Sequence, residues 1–285
     1  MKRLGVNLFI LGLTFGVLGI VLEVGIRLLI PAEKEIDKDW VKQFIQYNRD
    51  GFRDREYPTI KPRGKFRILA VGDSQTFGHG IKRLEDTFPK QLETLLNQGM
   101  ERPKFEVLNF ARPGWNTVDQ LQYIYKKGFL YQPDLILLSF FHNDLPPPIF
   151  LNCDSKDREF IPEIGSVVGW FHRSHFYRFL KFRINRLLEK AGYKSSYEDC
   201  LRFSYQSRSW EMEEVYLDTL LYTAQMKNIH FMMTVLPIMF QLDTNYPFAF
   251  AHKKLKKYCN SRNLFCVDLY QEGFQGQNED DFIVS

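Results

Sequence analysis

The sequence predicts an α/β protein: a three-layer sandwich around a five-stranded parallel sheet, preceded by one N-terminal transmembrane helix. Two observations predict it. Short apolar runs of strand length alternate with amphipathic stretches of helix length, which is the pattern of βαβ units. The N-terminus is set apart by nineteen residues without a charge, Leu4 to Leu22. Removing about 30 residues leaves roughly 255, within the range of a single α/β domain.

In chain order, the apolar run comes first. At 1.5 Å per residue it spans about 28 Å, close to the hydrocarbon thickness of a bilayer. Lys2 and Arg3 precede it and favour a cytoplasmic N-terminus. The following stretch, EVGIRLLIPAEKE, has no small-x-small cleavage pattern and no lipid-acceptor Cys, so residues 1–30 read as an uncleaved signal anchor. The expected location is the inner membrane, single-pass, with the remaining chain on the periplasmic side. Residues 31–64 are mixed and polar, with Asp50-Gly51 and Lys61-Pro62 as turn signals, and read as an ordered lead-in.

Residues 65–285 form the predicted domain. Its strands are Phe66 to Val71, Phe105 to Phe110, Asp134 to Phe140, Ile229 to Val235 and Leu264 to Asp268, each with the continuous apolar character of a strand buried on both faces. Helices are expected at about Thr87 to Gln98, Val118 to Leu130, Trp210 to Met226 and Phe248 to Asn260. A lid-like insertion over 145–209 opens on Pro146-Pro147-Pro148, where neither a helix nor a central strand can continue. Within it, His175 to Lys190 reads as a basic amphipathic helix, packed on its own domain with a solvated basic face.

Composition narrows the function. Hydrophobic residues at 45% and charged residues at 25% exclude wholesale disorder, collagen and coiled-coil classes. A net charge of +4 is too slight for a nucleic-acid partner. The cysteines, Cys153, Cys200, Cys259 and Cys266, have no zinc spacing and read as buried residues or a plain disulfide, whose pairing the sequence does not choose.

Chemistry is expected where parallel strands end. After the first strand comes Gly72-Asp73-Ser74, after the second Asn109-Phe110-Ala111-Arg112-Pro113-Gly114, and after the third Phe141-His142-Asn143-Asp144. A hydroxyl, an unshielded glycine N–H and an amide side chain converging on one point can stabilise a tetrahedral oxyanion. In this order and context the three blocks resemble those of the SGNH, or GDSL, hydrolases, over about residues 66 to 268. The resemblance implies a flavodoxin-like sandwich, with Ser74 as nucleophile and the Ser74 N–H, Gly114 N–H and Asn143 side chain as the oxyanion hole. It further implies ester hydrolysis through an acyl-enzyme without metal or organic cofactor, on an acylated small molecule, lipid or polysaccharide. The lead-in segment Asn48 to Asp54 is similar to one in membrane-anchored bacterial members.

The chain departs from the family in two places. Phe141 stands where a glycine usually precedes the Asn by two residues. No His follows His252, whereas family members carry an Asp-x-x-His shortly after the last strand. Without a base a serine hydroxyl is a poor nucleophile. One expectation is therefore an ester hydrolase whose coding sequence continues into that block; the other is a catalytically impaired homologue that binds acylated sugar or lipid. Among the remaining histidines, His142 is expected to make a local structural hydrogen bond, with His230 and His252 structural as well. Asp73 and Asp144 are expected to stabilise their loops.

Overall fold

A computed structural model describes residues 2–29, 38–145, 174, 176–177, 179–180, 183–184, 187, 196–243 and 245–277. The chain divides into two compact units, Met1–Asp37 with Leu151–Ser196, and Lys38–Phe150 with Tyr197–Ser285.

In the first unit the N-terminal run forms helix α1, Lys2–Leu29. The Glu23 carboxylate accepts hydrogen bonds from Ser174 Oγ at 2.7 Å and from the Phe176 N–H at 2.9 Å. It thereby caps the helical residues that begin there. Among the described residues no helix is long and apolar enough to cross a membrane, so the expected transmembrane helix is not shown. The side chains of Leu4, Leu8, Phe9 and Phe15, which carry much of the run's apolar character, lie outside the described residues. So does most of the insertion helix expected over 175–190.

The second unit opens with helix α2 (Lys38–Phe44) and strand β1 (Phe66–Gly72), followed by α3 (Ser74–Phe77), α4 (Phe88–Leu96), β2 (Phe105–Ala111) and α5 (Thr117–Lys126). Next come β3 (Leu135–Phe140), α6 (Tyr197–Gln206), α7 (Arg208–Met226), β4 (His230–Val235), α8 (Ala249–Ser261) and β5 (Phe265–Asp268). The five strands form one parallel sheet in the order β2-β1-β3-β4-β5. Register aligns Gly72 with Ala111, Val71 with Leu138, Phe140 with Val235 and Val235 with Asp268, so all five C-terminal ends lie along one edge. Because β2 and β3 flank β1, the winding reverses there, and parallel sheets place ligands at such a switch point.

Both faces of the sheet are apolar, for the reason the strands read as continuous runs. Ile68, Ala70, Val107 and Leu137 pack with Leu92 and Leu96 of α4. The alternate positions Leu69, Val71, Leu108, Phe110, Ile136 and Leu138 belong to the larger core with Ile124 of α5, Leu217 and Leu220 of α7 and Leu255 of α8. The five expected strands are all present, with ends shifted by one residue. β5 departs from the expectation of burial on both faces. As an edge strand it has no fully buried residue, and Phe265 is exposed.

The lead-in departs further. Residues 45–57 are built into the domain rather than leading to it. Phe52 is buried and stacks on Phe110 at 4.1 Å between ring centroids. The Arg53 guanidinium is buried and donates to the carbonyls of Gly78 and Ile81, each at 2.5 Å. Asp54 pairs with Lys90 at 2.7 Å and accepts from the Asn109 N–H at 2.7 Å. Cys259 and Cys266 form a disulfide joining α8 to β5, Cys200 is also disulfide-bonded, and Cys153 lies outside the described residues.

Candidate active site

The end of β1 turns sharply into α3. A Cβ on Gly72 would lie 2.2 Å from Thr76 Oγ1 and 2.8 Å from Thr76 Cβ, so only glycine fits. Asp73 caps α3, its Oδ1 accepting from the Gln75 N–H at 2.9 Å. Ser74 is half-buried, and its Oγ donates to Asp73 Oδ2 at 3.3 Å. The Asn143 side chain and the Ser74 N–H lie near enough to the same Asp73 carboxyl to favour its charged form. Burial raises that carboxyl above the usual carboxylate range, and these donors pull it back.

Gly114 follows β2 in an exposed turn with φ +79°, a conformation that favours glycine, and no atom lies within 4 Å of where a Cβ would stand. Its N–H is therefore open to a ligand. The turn is anchored on both sides. Behind it, Trp115 is buried against Phe52 and Tyr123, and the Arg112 guanidinium lies 5.3 Å from the Phe52 ring and 5.4 Å from the Tyr123 ring. Ahead of it, Asn116 and Asp119 form a reciprocal cap on α5, with Asn116 Oδ1 accepting from the Asp119 N–H at 3.0 Å.

Asn143 stands exposed in a 3-10 turn, His142–Asp144, whose other two residues are buried. Asp144 accepts from the Phe141 N–H and from Gln120 Nε2, both at 3.1 Å. Burial lifts its carboxyl well above the usual range, and the nearby Asp73 carboxyl lifts it further. Phe141, where the family has glycine, has φ −120° and ψ 153°. That is extended backbone open to any residue, so the substitution leaves the turn intact. As expected, Asp73 and Asp144 hold loops.

The structure thus brings Ser74 and Asn143 onto one carboxyl, and sets Gly114 at the same sheet edge on the neighbouring strand. It does not bring a histidine to the serine. Among the described residues no histidine hydrogen-bonds to Ser74. His142 and His252 form a buried relay instead. His252 Nδ1 lies 2.7 Å from Asp268 Oδ1, the two histidine Nε2 atoms are 3.1 Å apart, and His142 Nδ1 lies 2.8 Å from Tyr205 Oη. A carboxylate only accepts, so His252 carries its proton on Nδ1, His142 donates from Nε2, and the Tyr205 hydroxyl donates to His142 Nδ1. All four ring nitrogens are then paired with both rings neutral. His79 stacks with Trp40 at 5.6 Å, His230 starts β4 at the far edge, and His172 and His175 lie outside the described residues.

Burial, with a smaller contribution from His252, holds His142 well below its ordinary value. The unfolded chain then takes up a proton first, so stability is complete above about pH 6.5 and declines as pH falls below it. The thermal midpoint is expected to drop between about pH 7 and pH 5. His142→Gln, less stable throughout, should show a flatter profile in the same scan.

The sequence did not single out Arg53 or Glu213. Arg53 ties down the segment after α3, and Glu213 hydrogen-bonds to Thr117 at the start of α5. One sits in a polar lead-in and the other in a mixed helix, where nothing in the pattern marks a buried charge. Among the described residues there is no group of three His, Cys, Asp or Glu side chains that could hold a metal ion.

Residues 68–168 match the family GDSL-like Lipase/Acylhydrolase. They contain all three blocks. The match takes in 101 of the 285 residues, over which the chain is similar to that family. Ester hydrolysis is the general chemistry of that family. No curated protein matches the chain. Similar solved structures include AlinE4, an SGNH-hydrolase family esterase, at 16% identity and TM-score 0.41, covering 79% of this chain and 86% of that one. The acetyl xylan esterase AlAXEase has 13% identity and TM-score 0.41, covering 76% and 83%. TesA has 13% identity and TM-score 0.40, covering 76% and 87%.

Proposed function

We propose that this SGNH/GDSL domain is a serine ester hydrolase of the acylhydrolase or O-acetyl esterase type. The observation that carries the reading is the Asp73 carboxyl at the switch point of the sheet, which accepts from the Ser74 hydroxyl and feels the Asn143 side chain close by. In the proposed reaction Ser74 Oγ attacks the ester carbonyl carbon, and the carbonyl electron pair moves onto its oxygen. The Gly114 N–H, the Ser74 N–H and the Asn143 amide receive that oxyanion. Collapse expels the alcohol, which takes up the proton that the Ser74 hydroxyl gives up, and leaves an acyl-enzyme. Water then attacks its carbonyl, the acid departs, and a proton from that water returns to Ser74 Oγ. The half-buried Phe141 beside Asn143 supports an apolar wall for the acyl group or a stacked sugar.

A second reading keeps its place on one observation: the Ser74 hydroxyl is bonded to Asp73 and to no described histidine. On that reading the domain binds acylated sugar or lipid and turns it over poorly. An aryl-acetate assay separates the two. The hydrolase reading expects turnover that Ser74→Ala lowers by a factor of about 10³ or more. Equal rates for the two proteins, with the ester still bound, would establish the binding protein.

We also read α1 as a membrane anchor that places the domain on the periplasmic side. The support is a 28-residue helix with apolar side chains exposed on more than one face, Ile10, Leu13 and Ile20 on one and Leu11, Leu18 and Leu22 on another. Retention of the full chain in membranes washed at alkaline pH tests the anchor, and release would remove it.

A further inference from the structure

Helix α7 buries Trp210, Glu213, Leu217, Leu220 and Ala224, spaced three and four apart along one face. Glu213 therefore fills a slot where the pattern calls for an apolar side chain, and it is 0% exposed. Its Oε1 accepts from Thr117 Oγ1 at 2.6 Å, and its Oε2 has no hydrogen-bond partner. A charged carboxylate in that position would need a cation, and among the described residues none pairs with it. From α5 come the neutral Thr117 and Gln120; from α6 comes the Tyr205 hydroxyl, which feels the fields of both Glu213 and Asp144. From the β3 turn comes Asp144, itself bonded only to the Phe141 N–H and to Gln120. Behind Asp144 stands Asp73 at the end of β1. The nearby His142 is neutral in its relay.

Three buried carboxyl groups thus underlie the three loops of the site. Asp73 lies under Ser74, Asp144 under Asn143, and Glu213 under the residues that follow Gly114. Burial pushes the Glu213 carboxyl up to about 8, against the Thr117 hydrogen bond that lowers it. As an acid, Glu213 also offers the donor that an unpartnered buried acceptor requires, and Gln120 Oε1 is such an acceptor on the adjoining helix.

Thr117 is the first residue of α5, three positions after Gly114. We propose that Glu213, held as an un-ionised acid against Thr117, is a positioning residue that keeps the Gly114 turn in place, and that loss of this proton loosens the turn in alkaline solution. The inference deepens the ester-hydrolase reading and rests on it for its kinetic readout.

Hydrogen exchange of the full chain tests it without requiring activity. Between about pH 7 and pH 9, and after correction for the intrinsic rate, protection of the peptide covering residues 111–118 should fall about tenfold. In Glu213→Gln, which keeps an acceptor for Thr117 and cannot ionise, the change should stay within about twofold. Thr117→Val, which removes the donor, should be loose at both pH values. Equal losses in the parent and in Glu213→Gln would overturn the proposal. In the aryl-acetate assay the parent should lose about tenfold in kcat over the same range with KM steady, while Glu213→Gln holds the kcat it has at neutral pH. If no ester is hydrolysed at either pH, the hydrolase reading falls, and the exchange result still decides the role of Glu213.

Discussion

Replacing Lys90 with Met is expected to lower the free energy of unfolding by about 3–5 kcal/mol, read as a shift in the denaturant midpoint. Lys90 is a helix residue buried at 5% exposure, and its ammonium reaches Asp54 at 2.7 Å, the Tyr57 hydroxyl at 2.8 Å and the Val107 carbonyl at 2.5 Å. Removing it leaves Asp54 buried without its counterion. Burial already raises the Asp54 carboxyl above its ordinary range even with Lys90 in place, which shows that desolvation outweighs the attraction here. In the variant this carboxyl would take up a proton instead. Its folded-state value then lies further above the unfolded one, so the variant should lose stability as pH rises through the carboxylate range. Adding Asp54→Asn to Lys90→Met should recover part of the loss. A cost below about 1 kcal/mol would mean that water reaches the pair, and would sink this account.

Asn143→Ala should lower kcat for an aryl ester by about 10²–10³ with little change in KM, because a donor aimed at a developing oxyanion acts in the transition state. The side chain is exposed while His142 and Asp144 on either side are buried, so truncation should leave the turn standing. The thermal midpoint is the control. A variant that loses activity in step with stability would show that Asn143 only supports the turn, and an unchanged kcat would remove it from the site.

The sheet was legible because burial on both faces makes β1, β2 and β3 continuous apolar runs, and such runs differ from amphipathic helices by composition alone. Ser74, Gly114 and Asn143 were singled out because each comes within four residues of the end of one of those runs. Short α3 was hidden, since four residues carry no helical periodicity. The remaining parts of the site depend on contacts that no local pattern records. His142 and His252 are 110 positions apart, and Thr117 and Glu213 are 96 apart. Residues 31–64 read as a lead-in because they are polar. Two of their charged groups are in fact buried and paired, Arg53 with backbone carbonyls and Asp54 with Lys90.

That buried lead-in also sets an order of events during synthesis. Arg53 waits for carbonyls as far as 28 residues ahead, Asp54 for an amide 55 ahead, and Asp50 for Lys127, 77 ahead. At about 5–20 residues per second, Asp50 leaves the ribosome roughly 4–15 s before its partner does. For that interval the segment has nothing to fold against, and its charges stay in water. The earliest part of the domain to emerge thus waits for its partners, and the nascent chain carries an incompletely satisfied strap until the first two strands and α5 have been made.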